Sequence, residues 1–168
     1  MSIEAKQIIN IMNAWAPQSL AESWDHPGLQ IGNVHTPVKK VLVALDLTAE
    51  NASYAADNGV NLIISHHPFL FRSLHEIDLG TYRGKIIETL IRSSIVSFAA
   101  HTNLDIARGG VNDVLAEKLS LSDVSGLGPA ENGSDADSLG RTGMLPRVMS
   151  GNCLLYTSPS PRDAHESR

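Results

Sequence analysis

Apolar residues fall at Ala5, Ile8, Ile9, Met12 and Trp15, a spacing that lines one face of a helix. Ser2 is placed to cap its start, and Pro17 follows its end. The stretch ESWDHPGLQIGN (residues 22–33) carries turn formers at Asp25, Pro27, Gly28, Gly32 and Asn33, and reads as a loop with a short strand at Leu29–Gly32. Val41–Leu45 is an apolar, β-branched run of strand length that ends at Asp46. Thr48 then opens a helix through Ala52, Ala55 and Ala56, closed by Asn58 and Gly59. The pattern repeats: Val60–Ile64 is a second buried strand that runs into Ser65, His66 and His67. Ile86, Ile87, Leu90 and Ile91 mark the next helix, and Ile95–Ala99 a third strand that finishes in His101, Thr102, Asn103 and Asp105. Beyond Gly109 and Gly110, Val111, Val114, Leu115 and Leu119 mark a further helix.

Strands that alternate with helices, and are continuously rather than alternately apolar, predict an α/β fold. Its sheet is mainly parallel, with helices on both faces. In such a sheet the carboxyl ends of the strands share one edge, and ligands bind in the crevice outside it. His66 and His67 lie where the backbone leaves the sheet, so the strict alternation that would point them to opposite faces no longer applies. Pro68 biases His67 towards an extended backbone.

The bulk composition narrows the function classes. With 168 residues, 42% of them hydrophobic and 18% charged, the chain suits one domain with its own core. Lys and Arg (13) fall short of Asp and Glu (18) and form no basic run, which argues against nucleic acid as a partner. No secretory leader pattern is visible at the start, and no apolar stretch approaches the roughly 18 residues of a membrane span, so a cytoplasmic location without membrane association is expected. The single cysteine, Cys153, gives no internal disulfide.

The last residues are set apart. From Cys153 to Asp163 the chain reads CLLYTSPSPRD, which resembles one translated frame of the transposase-end and adapter DNA of sequencing libraries. Residues 153–168 are therefore expected to be non-native read-through. The natural protein is expected to continue past Asn152, leaving the fold incomplete at its C-terminus. His165 and Glu166 are not counted as ligands. LGPAENGSDADS (residues 127–138) reads as a flexible connection.

His66, His67, His101 and Asp105 gather imidazoles and a carboxylate at one expected edge, a donor set suited to zinc, manganese or iron. Neither a GxxxxGK[ST] nor a GxGxxG loop is present, and Ser65 lacks the glycines of a nucleophile elbow. Trp24, Asp25 and Gln30 are candidates to line the crevice, with packing for Trp24 and a turn role for Asp25 as the plainer readings. His26, His35 and His75 have no evident partners and are expected at the surface.

SHHPFLF (residues 65–71), AHTNLD (100–105) and GGVNDVLAEKL (109–119) resemble the Nif-three-like family, whose bacterial YbgI-type members bear the name GTP cyclohydrolase type 2 homologue. WDHPGLQIG (24–32), VALDLT (43–48) and GRTGMLP (140–146) agree, so residues 1–152 correspond to the N-terminal part of such a domain. The resemblance implies two divalent metal ions, with His66, His67 and Asp105 as ligands, and a hexamer of the full-length protein. It completes the centre with a His and a Glu near the family's C-terminus, for which this chain has no matching positions. His101 is then expected either to touch the metal site, to hydrogen-bond Asp105, or to carry a proton. The implied function is metal-dependent hydrolysis of a small molecule, a nucleotide by the cyclohydrolase name. The alternative is a metal-binding scaffold or regulatory module without turnover. Without the remaining ligands, the chain as written is expected to be inactive, to hold metal weakly and to dissolve poorly.

Overall fold

The computed structural model describes residues 3–127, 138–148 and 150–152. Ser2, positions 128–137 of the expected connection and the whole 153–168 tail lie outside the described residues. In chain order the elements are β1 (Ile3–Glu4), α1 (Ala5–Trp15), β2 (Gly28–Ile31), β3 (Pro37–Val38), β4 (Val41–Ala44), α2 (Ala49–Asp57) and β5 (Leu62–Ser65). They continue with α3 (Tyr82–Arg92), β6 (Val96–Ala99), α4 (Thr102–Ile106), α5 (Val111–Lys118), β7 (Ser122–Gly126) and β8 (Arg141–Met144). Contacts divide the chain after Leu104 into two units.

The first unit is built on a four-stranded sheet of order β2-β6-β5-β4. β4, β5 and β6 are parallel, in a register that places Ala44 beside Ser65 and Ser65 beside Ala99. All three therefore end at one edge, as the sequence pattern predicts. β2 runs antiparallel to β6 and pairs Gly28 with Ala99, so the loop leading into β2 arrives at that same edge. Gly32 makes the pairing possible: its φ is +107°, and a Cβ there would lie 2.9 Å from the Cα of Val96. β1 and β3 form a separate antiparallel pair that the sequence reading does not anticipate.

Alternate residues of the central strands feed two cores. Ile63 packs with Ala52, Ala55, Ile86 and Leu90 on the side of α2 and α3. Leu62, Val96 and Phe98 pack with Ala5 and Ile9 on the side of α1. Helices thus cover both faces, but not evenly. On β4, Val43 is 75% exposed and Leu45 beyond it 54%, although their apolar character predicted burial. The physical reason is position: β4 is the edge strand, and the core under α1 is built from β5 and β6 residues.

The helix caps follow local chemistry. Thr48 caps α2 by accepting from the Asn51 N–H, and Thr81 caps α3 by accepting from the Gly84 N–H. At α1 the cap is Glu4 rather than the expected Ser2, with the Glu4 N–H donating to Gln7 Oε1.

In the second unit, β7 and β8 pair antiparallel, Gly126 opposite Arg141. The Arg141 guanidinium, 8% exposed, donates to Asp113 on α5 and to the carbonyls of Ile106, Ser138 and Gly140. The arginine of GRTGMLP thus clasps the start of α5 to β8, which gives that segment a structural role.

Candidate functional site

β5 stops at Ser65, but the chain stays tied to its neighbour for two more residues. The His66 N–H donates to the carbonyls of Ala44 and Leu45, and the His67 N–H to Leu45. Ser65 Oγ donates to the His67 carbonyl at 2.9 Å. The chain thus turns at the sheet edge, and the two rings end on one side with centroids 5.0 Å apart. The His101 ring, just past the end of β6, comes within 5.2 Å of His66 and 5.7 Å of His67.

Each imidazole is held through the same atom. His66 Nδ1 donates to the Ala100 carbonyl at 3.0 Å, His67 Nδ1 to Asp46 Oδ1 at 2.7 Å, and His101 Nδ1 to Asp25 Oδ1 at 2.9 Å. A carbonyl and an ionised carboxylate only accept, so each Nδ1 bears a hydrogen, and in the neutral ring Nε2 is then the unprotonated nitrogen. One ring nitrogen from each histidine lies within 4.8 Å of the others.

The carboxylates come from elements the fold delivers to this edge. Asp46 follows β4. Asp25 lies in the loop that enters β2 and is fully enclosed, its side chain 0% exposed. Burial pushes its carboxyl up, but hydrogen bonds from the Thr102 hydroxyl, His101, and the N–H groups of His26 and Thr102 outweigh burial and hold it below the usual carboxylate range. Gln30 fastens the two loops at the edge, accepting from the Leu70 N–H at 3.0 Å while donating to the carbonyls of His26 and Gly28. Trp24 and Phe71, both about half exposed, stand edge-on to the His101 ring at 6.2 and 6.4 Å.

Asp46 escaped the sequence reading, where it appears only as a strand end, and Asp25 appears there as a lining or turn residue but not as the partner of His101. The signal was available for Asp46, because the rule that polar strand ends converge applies to β4 as it does to β5 and β6. For Asp25 the missing information was the antiparallel pairing of β2 with β6. His101, expected to touch the metal site, to hydrogen-bond Asp105 or to carry a proton, has its Nδ1 2.9 Å from Asp25 Oδ1. Asp105 falls in the second unit, half-buried, its carbonyl accepting from Asn112 Nδ2 at 3.2 Å. His35, expected without a partner, has its Nδ1 3.0 Å from Glu4 Oε2. His26 and His75 are exposed. No described helix is long and apolar enough to cross a membrane.

Residues 3–155 match the Duf34/NIF3 (NGG1p interacting factor 3) family. Proteins named "GTP cyclohydrolase 1 type 2 homolog" are similar: that of Halalkalibacterium halodurans is 43% identical over 122 residues, covering 73% of this chain and 33% of its own length. That of Listeria innocua is 50% identical over 115 residues, covering 68% and 31%. The chain spans about a third of the length of these relatives. Among solved structures, a Bacillus cereus protein related to NIF3 superposes with a TM-score of 0.73 at 44% identity, covering 77% of this chain and 36% of that one. Reduced HcgD from Methanocaldococcus jannaschii gives 0.79 at 33% identity, covering 94% and 59%.

Proposed function

The chain belongs to the Duf34/NIF3 family, and we propose that it binds a divalent metal ion through His66 and His67 and carries part of a metal-dependent hydrolase site. The observation behind this reading is the common arrangement of the three imidazoles, each fixed through Nδ1 and grouped within 4.8 Å. The donor set fits the ion, since neutral imidazoles with an unprotonated nitrogen are what zinc, manganese or iron takes. Of the roles expected for His101, the grouping of its ring with those of His66 and His67 supports contact with the ion as a third nitrogen donor. Asp105 as a further ligand, a second ion, a nucleotide substrate and a hexameric assembly rest on the family resemblance.

A divalent ion in such a site supplies Lewis acidity and activates water at neutral pH. The chain's own residues do the rest. The Ala100 carbonyl, Asp46 and Asp25 hold the three rings so that little reorientation is needed on binding. Trp24 and Phe71 bound the space beside His101 with apolar surface.

Zinc titration of the chain, read by calorimetry, tests the proposal. Binding is expected in the unaltered protein and is expected to be lost in His66→Ala/His67→Ala with the circular dichroism spectrum unchanged. Equal binding by both proteins would remove the basis for the reading. Incubation of metal-loaded protein with GTP, followed by loss of purine absorbance, addresses the hydrolase step separately from binding.

A further inference from the structure

The enclosure of Asp25 needs an explanation, because a buried carboxylate is costly unless both its oxygens are satisfied. Oδ1 accepts from the His26 N–H at 2.8 Å and from His101 Nδ1 at 2.9 Å. Oδ2 accepts from the Thr102 N–H at 3.1 Å and from the Thr102 hydroxyl. Two of these four donors are backbone N–H groups, one on each oxygen, and a backbone N–H cannot reverse its role. An amide in the same place would satisfy one and face the other with its own NH₂. The pocket is therefore specific for a carboxylate, and a carboxylate admits His101 only as the Nδ1–H tautomer.

We propose that Asp25 is a positioning residue: by holding the Nδ1 hydrogen of His101, it fixes the tautomer that leaves Nε2 as the unprotonated nitrogen of a ring grouped with those of His66 and His67. This rests on the reading that the imidazoles receive a cation. The link is direct, since Asp25 reaches the cluster through His101 and through no other cluster residue among the described hydrogen bonds. A residue that merely fastened its loop to Thr102 would leave the ring's protonation to solvent.

Long-range proton–nitrogen NMR of the histidines in the metal-free full chain tests the tautomer, and zinc calorimetry tests its effect. His101 is expected to show a protonated Nδ1 and an unprotonated Nε2, and Asp25→Ala, which removes the acceptor, to let hydrogen move towards Nε2. Zinc affinity should fall roughly 10- to 100-fold in Asp25→Ala. His101→Ala should lose a similar factor, and the double variant no more than either alone. An Nε2–H tautomer in the unaltered chain, an unchanged tautomer in Asp25→Ala, or losses that multiply in the double variant would overturn the proposal. If Asp25→Ala does not fold, Thr102→Val decides: it removes one donor to Oδ2 and keeps Asp25, so the Nδ1–H form must persist. Absence of zinc uptake by the unaltered chain would count against the metal reading, while the metal-free tautomer would still decide this one.

Discussion

His67 and Asp46 meet at the edge of the sheet, Nδ1 to Oδ1 at 2.7 Å, though 21 positions separate them in the chain. Both side chains are about half exposed, whereas Asp25 is fully enclosed and His101 only 17% exposed. The same pairing thus occurs once in water and once in the interior. Water can replace the Asp46 oxygen but has no access to Asp25. Asp46→Ala should therefore lower zinc affinity less than Asp25→Ala does, and change stability by no more than about 0.5 kcal/mol. Calorimetry and thermal unfolding of the two variants side by side make the comparison; an Asp46 effect equal to that of Asp25 would contradict it.

Gly84 lies within α3, where replacing glycine by alanine ordinarily stabilises a helix by about 1 kcal/mol. Here a Cβ would run into the backbone carbonyl of Asp78, which cannot swing aside as a side chain would. Gly84→Ala is expected to reverse the usual sign and cost about 1–3 kcal/mol. Urea unfolding measures it, and a gain in stability would show that the 78–81 turn yields easily.

Phe98 and Val43 are both apolar strand residues on the α1 side of the sheet, and they predict opposite outcomes. Phe98 is 1% exposed in the core, so Phe98→Ala should cost about 3–5 kcal/mol. Val43 is 75% exposed, and Val43→Thr should stay within about 0.5 kcal/mol. A large loss at Val43 in thermal unfolding would mean that something covers β4 in solution.

In the second unit, acid should act through Asp113. Burial raises its carboxyl, but the Gly109 N–H, the hydrogen bond and charge of Arg141, and the charge of Arg108 together hold it below the ordinary range. A carboxyl depressed on folding binds fewer protons in the folded state, so its contribution to stability is complete above about pH 4 and lost as pH falls through the folded value. Asp113→Asn is expected to flatten the acid limb of the stability curve below pH 4 without altering its shape near pH 7. Denaturant unfolding at stepped pH provides the check.

Much of the first unit was legible because its central strands are apolar on both faces and stop at polar residues. Val41–Leu45, Val60–Ile64 and Ile95–Ala99 each overlap the observed strand, and the convergence of His66, His67 and His101 follows from their shared direction. β1, β3, β7 and β8 were not legible. They are short or largely polar pairs, whose strand character comes from a partner distant in sequence rather than from their own pattern. α4 was missed because HTNLD reads as a polar strand end, and a helix of five residues leaves no periodicity to detect. The role of Asp25 depended on a pairing between chain segments, β2 with β6, which composition and spacing do not encode.

The three imidazoles and the oxygens that hold them all come from residues 25–101, within the first unit. Synthesis delivers that unit first, and domains generally fold in the order in which they emerge from the ribosome. The three imidazoles are therefore gathered while the rest of the polypeptide is still being made. On the proposed reading, a chain still on the ribosome would already present these nitrogens to an ion.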